Sequence, residues 1–488
     1  MQLLRRKPID QLIAEAHNTD QGMKKVLSAT SLVLLGVGCV IGTGIFVITG
    51  TAAAMHAGPA ITISFILSGI GCIFAGLCYA EFASMLPVAG SAYTYSYATL
   101  GEFLAWIIGW DLILEYLFAS GTVAVGWSGY VVSFLHDFGI NIPEKFCNSP
   151  VGFSKETGWF MTGSIINLPS IFIILLVASL LLIGIKESSR FNNIIVFVKV
   201  AVVLLFVVFG ISYINVDNWT PYIPKNTGIF GQYGISGIFT GAGVIFFAYI
   251  GFDAISTAAQ ETKNPKRDMP IGILGSLFVC MILYIAVSAV LTGIVDYKEL
   301  NVPAPIALAI DKTGNALFWL RPLIKVGAIA GLSSVILVLI MGQPRIFYTM
   351  AKDGLLPPSF SRLHPKYKTP HVTTIITGLI ASVIAGLLPI NILGELVSIG
   401  TLLAFVIVCT SVLILRIRKP NLYRPFKTPW VPFVPIAGIL ICLSQMIALP
   451  LDTWLRLFIW MVIGLCIYFL YGYKHSNLSK KKITIVKH

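Results

Sequence analysis

Residues 36–46 of the chain read Gly-Val-Gly-Cys-Val-Ile-Gly-Thr-Gly-Ile-Phe and lie inside the first long apolar stretch. Four glycines fall within nine residues, and a polar threonine stands between the last two. Glycine weakens a helix by about 1 kcal/mol relative to alanine, so this cluster favours local unwinding, and unwound backbone N–H groups can point at a ligand. We expect such a segment to hold a carboxylate. The alternative interpretation is that these small residues only let two helices pack closely.

A second interrupted stretch lies much further along the chain. Residues 241–253 read Gly-Ala-Gly-Val-Ile-Phe-Phe-Ala-Tyr-Ile-Gly-Phe-Asp and lie within the sixth apolar stretch. Breaks at positions one and six are typical of inverted five-helix repeats, whose broken helices form a substrate site near the membrane midplane. Helix N-termini there would face an anionic group and freed carbonyls a cationic one, which suits a zwitterion such as an amino acid. The repeat is inferred from spacing, because the halves show no strong residue identity.

The composition places both breaks in a membrane. Hydrophobic residues make up 56% of the 488 residues and charged residues 11%, whereas about 25% of an ordinary soluble domain is charged. A run of about 20 apolar residues is long enough to cross a bilayer. Such runs predict an all-α membrane protein of twelve spans, at 29–55, 59–85, 98–134, 167–186, 190–215, 236–259, 270–295, 323–350, 371–389, 394–416, 430–450 and 453–473.

The basic residues fit this topology. The formal net charge is +13, from 34 Lys and Arg against 21 Asp and Glu. Most of the basic residues fall in alternate loops and in both termini, so the positive-inside rule predicts a multi-pass cell-membrane protein with both termini in the cytoplasm. A nucleic-acid partner would need a basic face on a soluble module, and the sequence shows none.

The spans divide the chain into five predicted parts. Residues 1–26 are expected to form a cytoplasmic basic segment, without a cleavable signal peptide. The remaining parts are a first five-helix repeat at 27–216, a second at 230–418, two further helices at 428–473 and a cytoplasmic tail at 474–488.

Several ionisable residues fall inside the spans, where a charge costs at least about 2.5–3.5 kcal/mol at the bilayer centre. Lys199 lies about nine residues into span five. Desolvation disfavours its charged form, so it is a candidate proton acceptor; the alternative is a static lysine that donates hydrogen bonds to unwound carbonyls. Asp253 ends the break in span six, where it can take a proton, meet a ligand amine or cap the backbone.

Other carboxylates and one lysine need separate explanations. Asp111 and Glu115 are spaced i, i+4 in span three, and two such carboxylates in an apolar setting would not both stay ionised without a cation. Glu115 is the deeper of the two and the better pocket candidate, against the alternative of a neutral interhelical hydrogen bond. Glu81, near the inner end of span two, is predicted to be a gate or structural residue. Lys325 and Glu395 lie near outer span ends, where snorkelling is expected.

Motifs for other chemistry are missing from the sequence. It contains no phosphate-binding loop, no His-Glu-x-x-His and no Cys-x-x-Cys. We therefore predict no enzyme activity, no cofactor and no metal site. A channel would need a filter-like motif, which we do not find. A receptor that binds amino acids without moving them is not excluded by any sequence feature.

Seven stretches together resemble the amino acid/polyamine/organocation (APC) superfamily, and specifically bacterial members similar to the cationic amino acid transporters. They run in order from span one to span eight. The stretches are GCVIGTGIFVITG (38–50), AGPA (57–60), CYAEFASMLPVAGSAYTYSYA (78–98), GWDLILE (109–115), FFAYIGFD (246–253), QETKNPKRDMP (260–270) and GQPRIFYTMAKDGLLP (342–357).

The resemblance implies a LeuT-type fold, with helices one and six broken, five plus five inverted helices and two more appended, that works by alternating access. In the family, the substrate carboxylate binds backbone at the first break and the amino group binds carbonyls at the second. The matching positions here are Thr43, Gly44 and Ile45 for the carboxylate, and Phe247, Ala248 and Ile250 for the amino group, with Ile41 as a further substrate-binding position.

The resemblance also implies the coupling ion. In proton-coupled relatives, a lysine at the position of Lys199 replaces a sodium ion and touches the unwound part of span one, which predicts a proton symporter. Asp253 and Glu115 match pocket carboxylates that serve protons or the substrate side chain. The sequence leaves open a small single-helix membrane partner.

One departure from the family bears on the substrate. Ile340 stands where eukaryotic cationic transporters have a small polar residue, and a bulky side chain there would shorten the pocket. We therefore expect small neutral amino acids such as alanine, with arginine or lysine transport or exchange as the alternative.

Overall fold

The computed structural model describes residues 5–8, 27–86, 91–154, 158–183, 189–253, 255–256, 262–367 and 369–479. The protein is mostly helical. Among the described residues, seven helical stretches are long and apolar enough to cross a membrane: Gly44–Met85, Glu102–Asp137, Ile194–Tyr213, Pro265–Ile294, Leu320–Lys352, Ile390–Arg418 and Leu451–His475. Five shorter apolar helices are Ala29–Val40, Leu168–Leu182, Gly234–Tyr249, His371–Leu387 and Phe433–Ala448. Helices lie within all twelve predicted spans.

We number the α-helices and strands in chain order. The helices are α1 (Ala29–Val40), α2 (Thr49–Ala52), α3 (Ile61–Met85), α4 (Ser91–Thr99), α5 (Glu102–Asp137), α6 (Leu168–Leu182), α7 (Ser189–Gly210), α8 (Gly234–Ile245), α9 (Pro265–Ile294), α10 (Pro305–Lys312), α11 (Leu320–Lys352), α12 (His371–Leu387), α13 (Ile390–Arg418), α14 (Phe433–Ala448), α15 (Leu451–Ile467) and α16 (Tyr473–His475). The strands are β1 (Val151–Ser154) and β2 (Gly158–Met161).

The first span is broken inside its glycine cluster. Helix α1 begins at the Ser28 cap, whose hydroxyl accepts a hydrogen bond from the Ser31 N–H at 3.3 Å. It ends at Val40, and Ile41 is extended with φ −69° and ψ 99°. The chain then turns back into a helix, beginning with the π-helical segment Gly44–Ile48. The interruption therefore separates two half-helices, as the sequence predicts.

The sixth span is broken in a similar way. Helix α8 ends at Ile245 and continues as a 3-10 turn over Phe246–Tyr249. Ile250 is extended, with φ −63° and ψ 142°, and Gly251 has φ +116°. Only glycine adopts that φ without strain, so the break is encoded at this residue.

The helices pack in two groups. In the first group, α9 packs against α1 and α3, and α3 packs against α8. In the second, α11 packs against α5, α12 packs against α6 and α5, and α5 packs against α6. Helix α13 packs against α5 and also contacts α3. Both broken spans thus belong to one group and face helices of the other.

Two details differ from the predicted all-α arrangement of spans. The protein is mostly helical, as predicted, and β1 and β2 add a short antiparallel hairpin in the loop after α5, with Val151 opposite Met161. Predicted span 98–134 is not one helix, because α4 ends at Thr99 and α5 begins at Glu102. Gly101 between them has φ +110°, which interrupts the helix.

The expectation that Lys325 snorkels is also wrong. Its side chain is fully buried, and its Nζ atom lies 2.6 Å from Asp137 Oδ2. It also donates to the Ser133 carbonyl at 3.1 Å. A carboxylate at the end of α5 supplies the counter-charge, so the ammonium group needs no route to water. Glu395 is buried as well, and accepts from the Thr453 hydroxyl at 2.7 Å.

The predicted N-terminal segment and tail lie largely outside the described residues. Of residues 1–26, only 5–8 are described, and they contact the helical body. The Arg5 carbonyl accepts from the Glu102 N–H at 2.7 Å. Lys7 pairs with Asp353 at 2.9 Å. Residues 480–488 of the tail are not among those described.

Candidate functional site

A cavity lies where the two broken spans meet α5 and α11. The first break and the second break supply one wall each, and α5 and α11 supply the others. The lining residues are Cys39, Val40, Gly42, Thr43, Gly44, Tyr116, Ala119, Val123, Phe247, Ile250, Gly251, Asp253, Val335, Val338 and Leu339. The helix-breaking residues therefore surround a single space.

The two breaks touch each other through glycine. A Cβ atom added to Gly44 would lie 2.3 Å from the Ala248 Cα atom, which no real contact allows. A Cβ atom on Gly251 would come within 3.0 Å of the Cys39 carbonyl. Close backbone approach at both points requires the absence of a side chain. The glycines are thus explained by contact between the breaks, in addition to local unwinding.

The wall formed by the first break suits an anion. Thr43 and Gly44 line the cavity, at the start of the helix that follows the break. The first N–H groups of a helix lack intrahelical partners and carry partial positive charge. The Thr43 hydroxyl is buried and has no hydrogen-bond partner among the described residues. Ile41 and Ile45, also predicted to bind the substrate, are fully buried and do not line the cavity.

The wall formed by the second break carries carbonyl groups. Phe247 and Ile250 line the cavity, and the Phe247 carbonyl accepts from the Ile250 N–H at 3.2 Å. Ala248 is not a lining residue, and its carbonyl accepts from the Tyr284 hydroxyl at 2.8 Å. That same hydroxyl lies 2.7 Å from the Val40 carbonyl. Tyr284 on α9 therefore ties the two breaks together.

Sequence reasoning did not single out Tyr284. A tyrosine within an apolar helix gives no signal of its own, because its role depends on which carbonyls the neighbouring helices leave free. The side chain is fully buried. Its ring also lies 5.4 Å from that of Phe65 and 5.3 Å from that of Tyr249, which holds the hydroxyl in position.

Lys199 contacts the first break from behind the cavity. The side chain is fully buried on α7, and its Nζ atom donates to the Gly38 carbonyl at 2.8 Å and to the Ile41 carbonyl at 3.2 Å. Gly38 belongs to the last turn of α1 and Ile41 follows directly after the helix, where carbonyl groups commonly lack intrahelical partners. The resemblance implies this contact. Whether the amine exchanges a proton stays a prediction.

The two predicted pocket carboxylates occupy different places. Asp253 lines the cavity, accepts from the Gly251 N–H at 3.2 Å, and is 3.5 Å from the Tyr116 hydroxyl. Glu115 is buried and does not line the cavity. Tyr116 lines the cavity in its place. Asp253 is thus the carboxylate that a ligand can reach directly.

The expectation for Ile340 needs correction. Ile340 is fully buried, and the residues of α11 that line the cavity are Val335, Val338 and Leu339. Successive residues of an α-helix are rotated by about 100°, so a shift of one position turns the side chain away from the cavity. The side-chain wall on this helix is formed by Val335, Val338 and Leu339.

Glu81 takes no part in the cavity. Its carboxylate receives hydrogen bonds from Arg416 at 2.8 and 3.0 Å, from Arg424 Nε at 3.0 Å and from the Thr428 N–H at 2.8 Å. The side chain is almost fully buried. This cluster joins α3 to α13 and to the segment before α14. Of the two roles predicted for Glu81, the contacts fit a structural one.

Comparisons with known proteins agree on a family. A family model described as amino acid permease matches residues 26–470. The methylthioribose transporter of Bacillus subtilis is 47% identical, over 98% of this chain and 99% of its own. The branched-chain amino acid permease BcaP of the same species is 46% identical over 98% of this chain and 99% of the permease. Cationic amino acid transporter 4, vacuolar, of Arabidopsis thaliana is 39% identical over 86% of this chain and 68% of the transporter.

Proposed function

Because the chain belongs to the amino acid permease family of the APC superfamily and is a multi-pass membrane protein, we propose that it is a secondary active amino acid transporter. The substrate is a neutral aliphatic amino acid, alanine included, and it moves together with protons. Alternating access exposes the cavity first to one side of the membrane and then to the other.

The helix grouping supports a twelve-span, five-plus-five architecture. The first group contains spans one, two, six and seven, and the second contains spans three, four, eight and nine. Spans one and six, and spans two and seven, therefore share the first group, and spans three and eight, and spans four and nine, share the second. An inverted repeat of five helices requires such pairs, five spans apart. This agrees with repeats at 27–216 and 230–418, with 428–473 appended. The positive-inside rule then places the N- and C-termini in the cytoplasm.

One observation carries the proposal: the two helix breaks contact each other around one cavity. The helix start at Thr43 and Gly44 provides N–H donors for a carboxylate, and the chain at Phe247 and Ile250 provides carbonyls for an ammonium group. Opposite partial charges on facing walls bind a zwitterion in one orientation. An amino acid backbone fits this pattern.

The remaining wall favours a neutral side chain. Ala119, Val123, Val335, Val338 and Leu339 are all apolar and lie along α5 and α11. Burying an aliphatic side chain against them is favourable, and burying a guanidinium or ammonium group is not. The relative named a branched-chain amino acid permease suggests that the substrate range extends beyond alanine.

A cationic amino acid remains the second candidate. The Asp253 carboxylate is part of the cavity wall, and an opposite charge at that point would stabilise a basic side chain. A relative named a cationic amino acid transporter is consistent with this. In that case Asp253 would bind the substrate, and Lys199 would be left as the proton carrier.

Uptake into proteoliposomes tests both substrate classes. Labelled alanine, leucine and arginine are offered in sodium-free buffer, with and without an inward proton gradient. Accumulation of alanine or leucine only with the gradient supports proton symport of neutral amino acids. Arginine accumulation selects the second candidate. Binding of an amino acid without any flux would indicate a receptor.

A further inference from the structure

Asp111 is a buried acid to which the proposed transport cycle gives no role so far. It lies on α5 four residues before Glu115, and its side chain is fully buried. Neither of its carboxyl oxygens has a hydrogen-bond partner among the described residues. Buried polar groups are nearly always paired, so an acid with two unpaired oxygens calls for an explanation.

Asp111 and Glu115 face the same turn of α13. A Cβ atom added to Gly400 would lie 3.0 Å from Asp111 Oδ1, so the absence of a side chain there makes room for the acid. The hydroxyl of the next residue, Thr401, donates to the Val397 carbonyl of the same helix at 3.0 Å and is therefore already used. Glu115 Oε1 has no partner among the described residues. The two acids therefore share one narrow space between α5 and α13.

Glu115 lies near two other acids. Asp111 precedes it by one helical turn on α5, and the hydroxyl of the next residue, Tyr116, lies 3.5 Å from Asp253 Oδ2. Within the described part of the chain, Asp111 has neither a salt bridge nor a hydrogen-bond partner. From the cavity toward the start of α5, Asp253 beside Tyr116 is followed by Glu115 and then by Asp111.

A carboxylate without a donor or a cation is unstable in such a place. Removing an isolated charge from water is far costlier than removing a neutral acid, so Asp111 holds a proton unless a neighbour accepts one. A neutral acid that can pass its proton to an adjacent carboxylate is suited to carry protons. A purely structural polar group would instead have hydrogen-bond partners.

We propose that Asp111 is the last carrier in a proton path that runs from Asp253 through Glu115. This inference rests on the proposed proton coupling. Asp111 releases its proton toward the cytoplasmic side and becomes a carboxylate. Glu115 then passes its proton to Asp111, and Asp253 passes the proton it took from the outside to Glu115. One proton enters at Asp253 and one leaves at Asp111, so the number held on Glu115 and Asp111 is restored.

The direction of proton movement follows from the positions of Asp111 and Glu115 along α5. Four residues of α-helix span about 6 Å, so Asp111 lies about one turn nearer the start of α5 than Glu115. Under the proposed topology the start of α5, at Glu102, is the cytoplasmic end. The path therefore begins at Asp253 in the cavity wall and leads from there toward the side on which the proton leaves.

The variant Asp111→Asn tests the path, because asparagine keeps the shape of the acid but cannot carry a proton. Wild-type and variant protein are reconstituted with labelled leucine or whichever amino acid the wild type accumulates. Exchange between equal internal and external concentrations is measured without a gradient. Substrate accumulation is measured with an inward proton gradient, and acidification of the lumen is followed under the same gradient with a trapped pH dye. Asp217→Asn in an exposed loop serves as the matched control.

We expect Asp111→Asn to keep exchange and to lose both accumulation and lumen acidification. Accumulation at the wild-type level would overturn the inference, because a side chain that never titrates would then suffice. Failure of the wild type to accumulate any substrate would instead overturn the proposed proton coupling. If Asp111→Asn also loses exchange, the variant Asp111→Glu, which keeps a carboxyl group, is measured next. Accumulation by Asp111→Glu supports the path. An inactive or uncoupled Asp111→Glu contradicts it.

Discussion

The Nζ atom of Lys199 lies 2.8 Å from the carbonyl oxygen of Gly38, although the two residues are 161 positions apart in the chain. A second bond, at 3.2 Å, reaches the Ile41 carbonyl across the end of α1. A single buried amine thus holds two of the carbonyls at the first break. Any change in the charge of that amine changes how firmly the break is held.

Lys199→Ala is expected to abolish proton-driven accumulation while leaving some substrate binding. Alanine removes the amine, so no group at this position can take up and release a proton. Lys199→Arg is the matched variant, because arginine keeps the positive charge and the donors but does not deprotonate. Accumulation in proteoliposomes and ligand-induced thermal stabilisation are the two measurements. Full accumulation by Lys199→Ala would contradict the proton role.

Asp253→Asn separates the two substrate candidates. If Asp253 carries the proton of a neutral amino acid symporter, the variant exchanges alanine or leucine but does not accumulate them. If Asp253 binds a basic side chain, the variant loses arginine binding, and gradient-driven uptake of neutral amino acids persists. Competition binding with alanine and arginine, measured beside uptake, distinguishes these results. Unchanged uptake and binding for both classes would remove Asp253 from the site.

Gly44→Ala is expected to reduce transport to background. The new Cβ atom would lie 2.3 Å from the Ala248 Cα atom, so the two breaks would have to separate. Gly394→Ala on α13 is the control, because its Cβ would meet only a flexible Ile48 methyl group at 3.3 Å. Uptake and folded yield are compared for both variants. Normal uptake by Gly44→Ala would mean that contact between the breaks is not needed.

Leu339→Ala should shift selectivity toward larger neutral amino acids. Leu339 lines the cavity, and removing its methyl groups lengthens the side-chain pocket. A difference of one methylene in such a pocket changes discrimination by about 1–3 kcal/mol. Ile340→Ala, on the other face of α11, is expected to leave the leucine-to-alanine uptake ratio unchanged. A changed uptake ratio in Ile340→Ala and an unchanged one in Leu339→Ala would show that Ile340 limits the size of the substrate side chain.

Glu81→Gln should destabilise the protein without altering selectivity. The substitution leaves Arg416 and Arg424 without their counter-charge, and breaking a buried ion pair costs about 3–5 kcal/mol. Thermal unfolding of the purified protein in detergent measures the loss, as a melting temperature several degrees lower. Glu144→Gln, at an exposed position, should melt like the wild type. Equal melting of both variants would show that the cluster is not structural.

A structural feature could be predicted from the sequence where the residues that cause it lie within one short stretch of the chain. The glycines of span one and Gly251 weaken or bend the helix by themselves, so both breaks were expected from the sequence. In the same way, the length of the apolar stretches and the basic residues in the loops between them predicted a multi-pass membrane protein. Lys199 and Asp253 stood out because any charge within a span requires a partner.

Residues whose role depends on distant neighbours could not be predicted. Tyr284 bridges Val40 and Ala248 only because three helices converge there. Lys325 was expected to reach water, but Asp137 at the end of α5 provides a buried counter-charge. Ile340 was expected in the pocket, and the rotation of α11 turns Leu339 toward it instead.

The sequence by itself determined the membrane class, the helical segments and the two breaks, because hydrophobic length, glycine flexibility and the cost of buried charge act within a few residues of one chain segment. Only the tertiary structure decided which groups meet at the breaks. It brought Lys199 to the carbonyls of α1, Gly44 against Ala248, and Asp111 opposite Gly400. These contacts depend on how the helices rotate and pack, which is set by the fit of whole helix faces.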